Sequence, residues 1–279
     1  MTVPPVLTDL AALQRNRLRA RTRPDHAAAM FLHSAAVREV QERLAEVNKS
    51  FTKPAVVTGF AELWHATLPD ARIVADQDIL DLTPGAHDLV IHAMGLHWAN
   101  DPLGQMVQCR RALTPDGLFL GLLPGGRTLH ELRSSLAVAE TAVTGGLSPR
   151  VLPMAEIRDL GGLLQRAGFA LPVADSFVQT ASYASVAALM ADLRAMGETN
   201  ALAARLRHPT RRAVFGEAAR IYATACADAA GRIPATFEII CLTGWAPHDS
   251  QQAPLRPGSA RHRLADALKV PEHPLPKGS

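Results

Sequence analysis

Only three of the 279 residues are cysteines, Cys109, Cys226 and Cys241, and no two of them stand in a C-x-x-C spacing. That scarcity argues against a disulfide framework and against a thiolate metal site, and leaves reduced buried thiols; no metal is expected. Aromatic residues are sparse at 5%, and 29 Lys and Arg nearly balance 26 Asp and Glu. A net charge of +3 with so few rings for base stacking speaks against nucleic acid as a partner. No long uncharged apolar run is present, so no membrane span is expected. No apolar stretch follows the first basic residues, so no secretory signal is expected either, and the setting read from the sequence is cytoplasmic. The basic stretch Arg15–Arg23 lacks Ser and runs on in a helical pattern, which reads as a solvated helix face.

What the chain has is apolar residues, 48% of the total, enough for one large domain carrying a helical insertion. Two helices are expected first, Thr8–Arg21 with Thr8-Asp9 as cap, and about Pro24–Asn48 with Met30, Val37, Val40, Leu44 and Val47 at helical spacing. Short β-branched or apolar runs then alternate with helical segments. Strands are expected at Ala55–Thr58, Arg72–Ala75, Asp88–Ala93 and Leu118–Leu123, with helices at Phe60–Leu68 and Asp101–Leu113. Alternation with short turns predicts an α/β fold with a mostly parallel, Rossmann-type sheet. Further helices (Thr128–Val143, Met154–Ala167, Ser185–Met196, Thr210–Ala229) and strands near Leu171–Gln179 and Ala235–Trp245 follow. The organisation expected is N-terminal helices over 1–50, the α/β domain over 51–246 with a helical insertion at about 183–232, and a Pro- and Gly-rich tail over 247–279. One short helix is expected in that tail, around His262–Leu268.

In an open parallel sheet, ligands sit beyond the carboxyl ends of the strands. Those ends are Thr58-Gly59, Ala75-Asp76 and the run from Met94 to Asp101. A nucleotide ligand needs a glycine-rich turn after the first strand and an acidic residue about 20 positions on. Here a single glycine, Gly59, is followed by the bulky Phe60, which makes no cradle. Asp76 falls at roughly the ribose distance, though an aspartate at a strand end serves equally as a turn or helix cap.

The stretch from Asp76 through HDLVI (His87–Ile91), LHWAND (Leu96–Asp101) and ALTPDGLFL (Ala112–Leu120) resembles the class I S-adenosylmethionine-dependent methyltransferases. Five later segments sharpen the resemblance: GGRTLHELR (Gly125–Arg133), GGLSPR (Gly145–Arg150), IRDLGGLLQRAGF (Ile157–Phe169), DLRAMGETNAL (Asp192–Leu202) and IPATFEIICLTGW (Ile233–Trp245). Together they resemble the family of mitochondrial complex I assembly factor 5 and its bacterial relatives, near the malonyl-carrier-protein methyltransferases. The resemblance covers about Asp76–Trp245. It implies a methyltransferase-like fold with S-adenosylmethionine as cofactor and Asp76 as the adenine-side contact. It also implies a protein substrate, by analogy with a mitochondrial member understood as an arginine hydroxylase acting on a quinone-site subunit of respiratory complex I.

The chain departs from that pattern at the cofactor side. If Val56-Val57 lies in the family's first strand and Arg72–Ala75 is its third, a strand and two helices should separate them. The interval from Pro54 to Asp76 is shorter than one ordinary βαβ unit, so the second strand and its ribose carboxylate are expected to be deleted together with the glycine loop. Candidate cofactor residues are Thr58, Gly59, Asp76 and Met94. His97 and Trp98 are candidate catalytic residues, His97 as positioner or base, unless the pair packs the strand-to-helix turn. Gly125, Gly126, Glu131, Arg133, Glu198 and Asn200 are candidate substrate residues, against charge pairing along a helix or plain solvated loop ends. His92 reads as a core residue, and Arg205, Arg207, Arg211 and Arg212 as a basic patch. Three functions compete: a methyltransferase-fold assembly protein with a degenerate cofactor site; an active methyltransferase acting on a protein or a carrier-bound acid; and a non-enzymatic peptide-binding module.

Overall fold

In the computed structural model, which describes residues 6–252 and Lys269, β-branched and apolar runs pair into one six-stranded sheet. The helices are α1 (Leu10–Arg21), α2 (His26–Ala29), α3 (Phe31–Glu46), α4 (Ala61–Thr67), α5 (Pro102–Ala112), α6 (His130–Thr144), α7 (Ile157–Arg166), α8 (Val186–Met196) and α9 (Arg212–Cys226). The strands are β1 (Pro54–Thr58), β2 (Arg72–Val74), β3 (His87–Ala93), β4 (Leu113–Pro124), β5 (Ala170–Tyr183) and β6 (Ile233–Trp245), in the order β2-β1-β3-β4-β6-β5. The first four in that order run parallel, and β6 is antiparallel to both β4 and β5. The expected α/β, mostly parallel architecture is present. The short helix expected at His262–Leu268 lies outside the described residues.

Capping chemistry bounds the helices where the sequence suggests. Asp9, Asp101 and Ser185 each accept a hydrogen bond from a backbone N–H in the first turn, of Ala12, Gly104 and Ala188. Gly197, at φ +87°, ends α8 in the left-handed region that a side chain rarely adopts. The long second helix expected from Pro24 is instead two helices, interrupted at Met30, whose ψ of 21° breaks the repeat. Both sheet faces are covered. Val56, Leu89 and Ile91 pack with residues of α3, α6, α8 and α9, whereas Val57, Val90 and Phe119 pack with α5 and α7.

The edge at β2 carries the departure expected from the sequence. β2 pairs directly with β1, Ala55 opposite Arg72 and Val57 opposite Val74, and only α4 lies between them. The crossover spans residues 59–71, close to the dozen or so residues that a parallel connection requires. Among the described residues no further strand is inserted beside β1, so the strand that leads to Asp76 sits next to the one that leads to Gly59.

Candidate functional site

The carboxyl ends of β1, β2 and β3 converge on a buried cluster of ionisable side chains, and its cation comes from the N-terminal helix. On α1 the buried positions are Ala12, Leu13, Arg17 and Ala20, a helical stripe with a guanidinium in it. Burying a charge is costly unless it is paired, and Arg17 is paired. Its Nη1 and Nη2 donate to Asp76 Oδ1 and Oδ2 at 2.7 and 2.8 Å, with the two side chains 6% and 4% exposed. The guanidinium lies against Gly59, where a Cβ would collide with it, and 5.6 Å from the centre of the Phe60 ring. The expectation of a solvated basic face on Arg15–Arg23 is therefore corrected at Arg17. Arg21 stays exposed and donates to the Gly59 carbonyl at 2.6 Å.

Of the four candidate cofactor residues, Asp76 belongs to this ion pair and Gly59 lies against it. Thr58 is buried and its hydroxyl accepts from the Phe60 N–H, while Gly59 backs the Arg17 guanidinium. Asp76 spends both oxygens on Arg17. Met94, buried at φ +53°, donates its N–H to the Leu122 carbonyl. Phe60 and Trp64 are fully buried on the same side of the sheet.

On the neighbouring side, the 3₁₀ turn Leu96–Trp98 meets the residue that follows the α8 cap. Trp98 Nε1 donates to Glu198 Oε2 at 2.7 Å, and His97 Nε2 lies 3.2 Å from the same oxygen. His97 and Trp98 pack the strand-to-helix turn, and both reach Glu198. Burial pushes the Glu198 carboxyl upward, but His97, Arg17 and the Trp98 N–H together hold it down at about 2, so it is an anion at any ordinary pH. His33, from α3, stands edge-on to Phe60 at 4.9 Å with neither ring nitrogen hydrogen-bonded, and burial lowers it to about 4. His92 is buried, as expected, with Nε2 2.8 Å from Gln105 Oε1; burial shifts it downward too.

Glu198 and Asn200 line a cavity of about 240 Å³ whose walls are mostly apolar, among them Trp98, Leu132, Met196 and Phe237. Asn200 is held by its Nδ2 bond to the Pro149 carbonyl and by the Leu202 N–H that it accepts. The other candidate substrate residues do not reach this cavity. Glu131 is buried and accepts from the Thr236 hydroxyl and backbone N–H, tying α6 to β6. Arg133 donates to the Gly126 carbonyl. A side chain at Gly125 would meet Glu238 and Ile240, and one at Gly126 would meet Glu156, so these glycines permit close packing. The basic patch is likewise corrected in part: Arg205 and Arg207 both donate to Asp9 and pin the start of α1.

The cysteines are unpaired. Glu39, Asp175 and Cys241 bring ligand-type atoms within 4.8 Å of one another, but Arg43 bonds both carboxylates and supplies the charge a cation would bring. Among the described residues, no helix is long and apolar enough to cross a membrane. Sequence reasoning did not single out Arg17 or His33. The only available signal was an arginine three residues before Ala20 and four after Leu13, on the apolar stripe of α1.

No protein-family model matches the chain. It is 38% identical over 203 residues to the arginine-hydroxylase NDUFAF5, mitochondrial, of Danio rerio, across 73% of this chain and 63% of that protein. The Homo sapiens protein of the same name is also 38% identical over 203 residues, 73% of this chain and 59% of its own length. The malonyl-[acyl-carrier protein] O-methyltransferase of Laribacter hongkongensis is 34% identical over 177 residues, 63% of this chain and 57% of that one. The chain spans less than two thirds of the length of these relatives. Among solved structures, the YcgJ protein of Bacillus subtilis is similar at 12% identity and a TM-score of 0.46, covering 77% of this chain and 99% of that one. Phosphoethanolamine N-methyltransferase 2 of Haemonchus contortus is similar at 11% identity and a TM-score of 0.41, over 77% and 53%. The resemblance drawn from the motifs is matched by sequence relatives of both kinds, arginine-hydroxylases and carrier-protein methyltransferases.

Proposed function

We propose that this chain is a methyltransferase-fold protein that binds a protein substrate by a cationic side chain, in the cavity beside Glu198, and that its S-adenosylmethionine site is degenerate. The observation that carries the reading is Glu198 itself. A carboxylate held ionised at about 2, its side chain 16% exposed at the wall of an apolar cavity, attracts a cation on an apolar stem. An arginine side chain has that form, in keeping with the arginine-hydroxylase name of the relatives from Danio rerio and Homo sapiens. By the resemblance to assembly factor 5, the partner we propose is a subunit of respiratory complex I. The unpaired cysteines fit a reducing compartment such as the cytoplasm.

The residues present do not fit S-adenosylmethionine. A nucleoside at the ends of β1 and β2 would need the Asp76 carboxylate and the open face of Gly59, and Arg17 takes both. A second reading, a carrier-bound acid as ligand, has one observation in its favour. The Arg194 side chain, at the cavity, has no hydrogen-bond or ion-pair partner among the described residues, and it could meet a carboxylate.

The test is calorimetry with a blocked glycyl-arginyl-glycine peptide and its citrulline counterpart, which differ in charge at nearly constant shape. The arginine peptide is expected to bind at least about tenfold more tightly, and Glu198→Gln to abolish the difference. Equal affinity for the two peptides would sink the cationic reading. Binding of malonate in their place, lost on Arg194→Ala, would favour the acid.

A further inference from the structure

Arg17 does more than close a cleft. It lies between the carboxylate that anchors it and the turn that carries Glu198. A side chain at Gly197 would meet the Arg17 Cγ at 3.3 Å and its Cα at 3.5 Å, so α1 rests directly on the residue before Glu198. The neighbouring Asn16 donates to the Thr199 carbonyl at 3.1 Å. Further along, the Asp9 N–H donates to the Ala201 carbonyl and the Ala203 N–H to the Leu7 carbonyl, so residues 7–17 and 197–203 are stitched together along their length. Asn100 joins in from the far side, accepting from the Leu7 and Thr8 N–H groups through Oδ1.

We propose that Arg17 is a positioning residue for Glu198: anchored by Asp76, it seats the Gly197–Asn200 turn and keeps the Glu198 carboxylate in place at the cavity wall. Asp76, which the sequence pattern offers as a nucleoside contact, thereby serves the substrate side through an arginine. The inference rests on the cationic reading of the cavity only for its functional consequence; the geometry stands apart from it.

The charges support the arrangement. Arg150, paired with Glu140, and Arg194 line the same cavity; the ionisable groups that act on Glu198 itself are Arg17 from α1, His33 from α3 and His97 after β3. Arg17 is the permanent cation among them, and its field lowers the carboxyl alongside His97 and the Trp98 N–H. Replacing it by an uncharged side chain of similar length moves the acid midpoint of Glu198 upward.

Two measurements test this on the full chain. The first needs no ligand. The Trp98 indole N–H donates to Glu198, so its ¹H–¹⁵N resonance reports protonation of that carboxylate. In the wild type the resonance is expected to hold its position on acidification until the fold is lost. In Arg17→Met it is expected to titrate within the folded range, and Arg17→Lys should restore most of the wild-type behaviour. The second is the arginine-peptide affinity, expected to fall about tenfold in Arg17→Met and much less in Arg17→Lys. An unmoved indole titration in folded Arg17→Met would overturn the proposal. If Arg17→Met fails to fold, Arg17→Lys and Arg17→Gln give the same comparison. Failure of the cavity reading would look different: Glu198→Gln would bind the peptide like the wild type, while the indole titration still moved with Arg17.

Discussion

The Arg17 guanidinium meets the Asp76 carboxylate through two parallel hydrogen bonds, 59 positions apart in the chain, with both side chains almost wholly removed from water. Two charges taken out of water lose several kcal/mol of hydration each and recover it only through each other. This pair therefore accounts for much of the local energetics at the β2 edge and for several outcomes that can be measured.

Removing one partner leaves the other buried and unpaired. Arg17→Met is expected to cost about 3–5 kcal/mol in urea unfolding. Adding Asp76→Asn should return a large part of that loss, since the uncompensated charge disappears. Additive losses in the double variant would mean that the two side chains are not coupled.

Gly59→Ala is expected to be costly for the same reason and not through backbone strain. The added methyl would collide with the far end of Arg17, a side chain that cannot swing away without giving up Asp76. Destabilisation by about 2–3 kcal/mol in the wild type, shrinking to below about 1 kcal/mol in an Arg17→Met background, is the expected pattern. An equal cost in both backgrounds would place the conflict elsewhere.

Calorimetric titration with S-adenosylmethionine and S-adenosylhomocysteine is expected to show no binding heat at millimolar ligand while the protein stays folded. Micromolar binding that is lost on Asp76→Ala would mean that α1 leaves the cleft readily, and an active methyltransferase would return as the better description.

His33 makes the fold acid-sensitive. It is lowered from 6.5 to about 4 by burial, so the unfolded chain takes up a proton more readily than the native one. Its contribution is fully present above about pH 6.5 and is lost as the pH falls from there toward 4, by about 2–3 kcal/mol at the bottom of that window. His92 shifts in the same direction and adds to the trend. His33→Phe, which keeps a ring against Phe60, should flatten the decline in stability between pH 6.5 and 4.5. An unchanged slope would show that other groups govern it.

Much of the fold was readable from sequence because it depends on local chemistry. The apolar runs at Val56-Val57 and Leu89–Ile91, the caps Asp9 and Asp101, and the stop at Gly197 each act within a few residues. The same holds for the short interval before Asp76. The interruption at Met30 was missed because helical spacing runs across it without a break. Glu131 and Arg133 stay open in the sequence, because an acidic and a basic residue beside a glycine pair look alike whether they face a ligand or a neighbouring strand.

By itself, then, the sequence determined the alternation of strands and helices, the missing glycine loop and the shortened path from β1 to Asp76. Only the tertiary structure decided what fills the space so left. Arg17 is one of several similar arginines in α1, and nothing local distinguishes it. The choice follows from which face of α1 meets the sheet, and from the need of a buried carboxylate and a buried guanidinium to neutralise each other.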